Sequence, residues 1–277
     1  MTHPLDGARL KVVRAQQHLD ALKDKIRAYL ESNPYHVPAI QHRMDYAAQG
    51  VEFAVSKPIV GKEPPVDLSC VIGDCVTNLR ASLDYVAWQI AMRHMARPPV
   101  VGKDRRICFP ISINGMPPDR LPELAKKYAF PAGAISGVES VQPYHAGYEP
   151  LTTLERLVNQ DKHCLLVVAV MCADVASVNV NGLIRPSMRQ ITVHVQGFGT
   201  IIRTSCNNNF AVPTAPCNVA PGQATASVRA GDVEVQGEIA AFVSLQDPTV
   251  PHMPVEILLE DVIKCVANII PRFEPFV

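Results

Sequence analysis

The sequence predicts an α+β protein: a helical module with an inserted β-hairpin over residues 1–172, then a mostly antiparallel β module with a C-terminal helix over 173–277, the two able to form one continuous unit. Three observations predict it. Two long stretches in the first half place apolar residues three and four apart, which is the repeat of a helix face. From residue 175 the apolar period shortens to two, as in a strand. Helical spacing then returns over about 255–270.

In the first stretch, Ala8, Val12, Ala15, Leu19, Leu22, Ile26 and Tyr29 form one stripe, and Lys11, Arg14, Asp20, Lys23, Asp24 and Arg27 form the solvated faces. Asn33-Pro34 stops it, because the residue before a proline is driven out of the helical region. The stripe predicts packing on this chain's own helices, with a self-pairing coiled coil and hence a homodimer as the other use of such a face. Val51, Phe53 and Val55 alternate with polar or small residues and predict a strand over 51–56, with 36–45 as its partner. Pro58, Pro64 and Pro65 mark a loop.

The second long helix is predicted over about 66–96, on Leu68, Ile72, Cys75, Leu79, Leu83, Val86 and Ile90. Beside this stripe runs a second row: Gly73, Thr77, Arg80, Asp84, Ala87 and Ala91. Small side chains let another helix approach closely, so this helix is predicted to be buried on two sides. Short helices follow near 119–128 and 132–141. A longer one is predicted over 150–171, with Pro150 in its first turn. Its apolar pattern is interrupted by Asn159-Gln160-Asp161-Lys162-His163. Beyond 175, residues 190–195 and 239–245 alternate like strands, residues 206–223 read as a long loop, and Gly231-Asp232 and Gly237 mark turns or bulges. The final helix is expected to cover one face of the sheet.

Lys plus Arg and Asp plus Glu balance at 26 each, so no global field draws the chain to nucleic acid or an anionic surface. The longest apolar run, Leu165–Ala173, is about half of the ~18 to 20 residues that cross a bilayer and reads as buried core. The N-terminus lacks a basic start and apolar stretch; no membrane partner is expected, and the expected location is cytoplasmic. The eight cysteines are read as reduced thiols. Cys70 and Cys75 have the wrong spacing for a zinc knuckle, and no Gly-rich phosphate loop, nucleophile-elbow Ser or HExxH pair is present. Neither a metal nor a cofactor is expected.

Two polar clusters interrupt otherwise apolar helices: Asn78-Leu79-Arg80-Ala81-Ser82-Leu83-Asp84-Tyr85 and Asn159-Gln160-Asp161-Lys162-His163. Together with Ala87-Trp88, Phe109-Pro110-Ile111 and Gln142-Pro143-Tyr144, they resemble landmarks of a family of uncharacterised bacterial proteins. In that family the first motif commonly reads Asn-Leu-Arg-Ser-Ala-Leu-Asp-His and the last Asp-Lys-His-Arg. The similarity spans roughly residues 66–170 and implies no settled activity.

An Arg and a His separated by four residues also resemble the signature of HEPN proteins, helical domains many of which are metal-independent ribonucleases in toxin or defence systems. The resemblance implies that a His moves the proton of a ribose 2′-hydroxyl while Arg holds the phosphate. Here Tyr85 stands where that His would be, and a phenol with an ordinary pKa near 10 is a poor proton acceptor at neutral pH. His163 could substitute if the two helices lie side by side.

The site expected from the sequence therefore has Arg80, Asp84 and His163 as catalytic candidates, with Asn78, Tyr85, Asn159, Asp161 and Lys162 as binding candidates beside them. Tyr144 and His145 could border a cleft. Cys164, next to His163, is the one cysteine with a candidate nucleophile role, although helix neighbours diverge by about 100°. The competing reading needs no substrate. Arg80 would pair with Asp84 or Asp161 to tie two core helices together, and Asn78 and Asn159 would satisfy nearby backbone groups. Two functions follow: a non-catalytic interaction or regulatory protein, or a HEPN-like, degenerate RNA-processing protein whose partner is RNA.

Overall fold

The computed structural model describes residues 3–32, 34–36, 40–45, 50–55, 59–104, 106–182, 190–195, 199–203, 222–230, 233–247, 249–250 and 253–277. Helices and strands are both present. In chain order the helices are α1 (Asp6–Glu31), α2 (Asp67–His94), α3 (Arg120–Tyr128), α4 (Ala132–Ser140), α5 (Pro150–Asp161) and α6 (Val255–Ile269), which runs into a closing 3-10 helix, Ile270–Phe276. The strands are β1 (Tyr35–His36), β2 (Ile40–Asp45), β3 (Gly50–Val55), β4 (Ile59–Val60), β5 (Val168–Gly182), β6 (Gln190–Val195), β7 (Gly199–Arg203), β8 (Gly222–Ala230) and β9 (Val233–Leu245).

The chain forms two compact units, and each is discontinuous in sequence. One comprises Met1–Asp24, Val66–Val168 and Leu245–Val277; the other comprises Lys25–Pro65 and Ala169–Ser244. The sequence reading draws one boundary at 172–173, whereas the chain passes between the units several times. The terminal helix also differs from expectation. α6 belongs to the helical unit and packs there on α2 and α5, because its buried stripe of Leu259, Val262, Val266 and Ile269 meets their apolar faces.

In the helical unit α1 and α5 both run antiparallel to α2, a register that can be read from polar contacts. On α1 and α2, Ser82 Oγ donates to Ala8 O at 3.0 Å, Lys11 Nζ to Asn78 Oδ1 at 3.1 Å, and Cys75 Sγ to Ala15 O at 3.5 Å. As α1 advances, its partner on α2 retreats. Between α2 and α5, Arg80 meets Glu155, and Gly73 lies under Asp161. Lys23 on α1 meets Glu260 on α6 at 2.6 Å. The α2 stripe of Leu68, Ile72, Cys75, Leu79, Leu83, Val86 and Ile90 is fully buried, as are Gly73, Ala87 and Ala91 on the adjacent row. Asp67 in its first turn and Arg93 and His94 in its last complement the helix dipole.

α5 is shorter than expected. The apolar pattern predicts a helix to 171, yet α5 ends at Asp161 and β5 begins at Val168. Leu165 is 49 % exposed, Leu166 is buried and Val167 is 51 % exposed, which is the alternation of an extended chain. The N–H of Gln246 donates to Val167 O at 2.9 Å, and the β-branched residues Val167 and Val168 favour that pairing over a further helical turn.

In the other unit, β2 pairs antiparallel with β3, Ile40 opposite Val55 and Asp45 opposite Gly50. β3 then pairs in parallel with β6, Val51 opposite Ile191, and β6 pairs antiparallel with β7. The early hairpin thus shares a four-stranded sheet, ordered β2-β3-β6-β7, with strands from the second half of the sequence. β5, β9 and β8 form a three-stranded sheet and β1 pairs with β4. Most of the expected loop 206–223, and the turn at Gly231-Asp232, lie outside the described residues. No helix among the described residues is long and apolar enough to cross a membrane.

Candidate functional site

Arg80 and Asp84 lie one turn apart on α2, so their side chains project in the same direction. The Arg80 guanidinium makes three contacts. Nη2 donates to Phe109 O at 2.6 Å and lies 3.1 Å from Asp84 Oδ1, and Nη1 reaches Glu155 Oε2 on α5 at 3.3 Å. The Phe109 N–H donates to Asp84 Oδ1 at 2.9 Å. One helical turn therefore satisfies both backbone groups of Phe109, as a neighbouring strand would. The segment is held from its other side by Gln142: its Oε1 accepts from Ser112 N–H, and its Nε2 donates to Pro110 O. The Phe109 ring is fully buried and meets Phe273 edge-on, with centroids 5.5 Å apart.

Arg80 is 16 % exposed. Burial pushes the Asp84 carboxyl above the ordinary carboxylate range, with the Arg80 guanidinium, the Phe109 N–H and Lys162 opposing that shift. A guanidinium engaged by two carboxylates and a carbonyl in a partly desolvated position forms a charge-assisted network. Its geometry fixes the relation of α2, α5 and the Phe109-Pro110-Ile111 segment.

The other expected site residues are dispersed. Asn78 bridges helices, accepting from Lys11 while its Nδ2 donates to Asp74 O at 2.8 Å. Tyr85 is exposed and its ring packs against Gly7 of α1, where an added Cβ would sit 3.1 Å from the ring. Asn159 donates to Glu155 Oε1 at 3.1 Å, so it orients the carboxylate that receives Arg80 instead of capping backbone. Lys162 is exposed and contributes to the field at Asp84. His163 is exposed, and its ring has no hydrogen bond or ion pair among the described residues.

Asp161 is not the partner of Arg80, which the sequence allowed. Its carboxylate lies over Gly73, and burial, with Asp74 nearby, pushes its pKa up. Tyr144 and His145 form a separate cluster at the end of α4. Tyr144 Oη donates to Glu139 Oε1 at 2.8 Å, His145 Nε2 lies 3.7 Å from the same oxygen, and the two rings are 4.8 Å apart. Desolvation, and then donation to Glu139, push the Tyr144 phenol up to about 12. Cys164 is exposed, and its Sγ donates to Gln160 O instead of engaging His163.

Two participants were missed from the sequence. Glu155 sits one turn before Asn159 on the same helix, so helical spacing from the polar patch could have pointed to it. The Phe109 backbone carried no such signal, since backbone groups look alike in every sequence. Among the described residues no group of three His, Cys, Asp or Glu could hold a metal ion. No protein-family model, no curated protein and no solved structure matches the chain.

Proposed function

We propose that this chain is a non-catalytic interaction or regulatory protein in which the Arg80 motif is an internal clamp and not a substrate site. The observation that carries the reading is the engagement of the Arg80 guanidinium by Asp84, Glu155 and Phe109 O. A phosphate would have to displace carboxylates that already neutralise it. The ribonuclease alternative needs an imidazole at the Arg80 guanidinium; Tyr85 faces α1 at Gly7, and His163 has no contact to Arg80. The family resemblance, a cytoplasmic location and a mostly antiparallel arrangement for the strands of the second half belong to the same reading. The antiparallel pairings β6–β7 and β8–β9 support the last of these.

The test is incubation of a mixed RNA pool with the full chain and with His163→Ala, an exposed position whose change leaves the core intact. RNA as intact as in buffer is the expected result. Degradation by the native chain that His163→Ala abolishes would establish the ribonuclease reading in its place.

A further inference from the structure

The balanced net charge conceals a local excess. Residues 93–127 hold eight Lys or Arg and three Asp or Glu, against 26 of each sign in the whole chain. At the apex of this segment, Val101 is 86 % exposed, the most exposed large apolar side chain among the described residues, and its neighbour Val100 is 44 % exposed. An aliphatic pair held out in water within a cationic rim offers apolar surface that a partner can bury.

The apex is built to hold this arrangement. Arg97 Nη1 and Nη2 donate to the two oxygens of Asp104 at 3.0 and 3.2 Å, and Asp104 Oδ2 accepts the Val100 N–H at 2.8 Å. The N–H groups of Lys103 and Asp104 return to Val100 O at 3.1 and 3.0 Å. Gly102, with φ +86°, makes the left-handed turn this closure needs. Val101 is thus presented by a closed turn behind the stiff Pro98-Pro99 stem. Beside the turn, Arg106, Arg120 and Lys127 share the single carboxylate of Glu123, at 3.3, 2.8 and 3.7 Å. Lys103 is exposed with no ion pair among the described residues. Positive charge therefore remains around the apex after the local acids are satisfied.

We propose that the 97–104 loop is a docking surface for an anionic lipid bilayer, with Val101 and Val100 entering the headgroup boundary while Lys103, Arg106 and Lys127 bind lipid phosphate and carboxylate. Apolar insertion plus basic attraction is the chemistry of peripheral membrane attachment. A single-stranded nucleic acid fits less well, because its recognition relies on stacking against aromatic rings. The aromatic side chains of this region, Phe109, Tyr128 and Phe130, are all buried. The proposal rests on the reading that the chain acts by binding, and it names the partner.

The experiment is co-sedimentation of the full chain with phosphatidylcholine vesicles, with or without phosphatidylserine, at low and high salt. A parallel arm uses a labelled single-stranded RNA. Binding to the serine-containing vesicles is expected to exceed binding to neutral ones and to weaken with salt. It should fall by more than about tenfold in Lys103→Glu/Arg106→Glu, since each basic residue adds about fivefold or more near such a surface. Val101→Asp lies at an exposed tip, so the fold survives, and its binding should fall as well. Equal binding to both vesicle types, or undiminished binding by Val101→Asp, would overturn the proposal. So would RNA binding lost in Lys103→Glu/Arg106→Glu with vesicles left unbound. A mixed RNA pool left intact beside absent vesicle binding would defeat this inference alone and leave the non-catalytic reading standing.

Discussion

The side chains of Arg80 and Asp84, 3.1 Å apart on one helical turn, hold the two backbone polar groups of a single residue: the guanidinium donates to Phe109 O, and the carboxylate accepts the Phe109 N–H. A motif that reads as a catalytic pair is, in the fold, a polar socket for the Phe109-Pro110-Ile111 segment. Glu155 on α5 completes it, so three parts of the chain far apart in sequence depend on one cation.

Removing that cation strands two carboxylates and a carbonyl. Arg80→Ala is expected to destabilise the chain by about 3 kcal/mol, the cost typical of breaking a partly buried charge network by removing one partner. Arg80→Lys should recover only part of it, since an ammonium lacks the planar fork that spans Phe109 and Glu155. Urea denaturation followed by circular dichroism measures both, and a loss below about 0.5 kcal/mol, the scale of an ordinary surface change, would mean that the network is not structural.

Asp84 makes a pH prediction with a definite sign. Its folded pKa is raised above the ordinary value of 3.8, chiefly by burial. Its contribution is therefore most favourable below that value and declines as pH rises through the folded pKa. Asp84→Asn keeps an oxygen for the Phe109 N–H but does not ionise. The stability of the native chain relative to this variant should fall as pH is raised from about 4 toward neutrality, as read from denaturation midpoints at successive pH values. A relative stability that rises over this interval would show that Arg80 outweighs burial.

The contact of Gly73 with Asp161 is tested by a double-mutant cycle. An added Cβ at Gly73 would collide with Asp161 Oδ1 and lie 2.8 Å from its Cγ, so the carboxylate must move. Alanine in a helix interior is otherwise favoured over glycine by about 1 kcal/mol. Gly73→Ala should thus be neutral or destabilising alone and stabilising in an Asp161→Ala background. Additive effects of the two changes would show that the residues do not touch.

The thiols divide by burial. Cys75 and Cys265 are buried, and desolvation pushes their pKa values up to about 12 and about 11. Cys70 and Cys164 are exposed. Brief treatment of the native chain with iodoacetamide, followed by peptide mass spectrometry, should modify Cys70 and Cys164 well before Cys75 and Cys265. Denaturant should remove the difference. Early labelling of Cys75 would place α2 differently from the arrangement described above.

Local periodicity was sufficient for α1, α2 and α6. The stripe from Ala8 to Tyr29, the stripe from Leu68 to Ile90 and the stops at Pro34 and Pro271 correspond to α1, α2 and α6 within one or two residues, because a helix forms its hydrogen bonds within its own segment. The double row on α2 also showed that Arg80 and Asp84 face one way. What local pattern could not show is where a segment finds its partner. The apolar pattern carries the predicted helix on to 171, yet the donor at Gln246, far along the chain, pairs with Val167 in an extended segment. The parallel union of β3 with β6 and the choice of Glu155 over Asp161 for Arg80 are decisions of the same kind. Which helix and which peptide complete the Arg80 socket depends on distances that arise only when the helices pack, and there tertiary structure decided what the sequence left open.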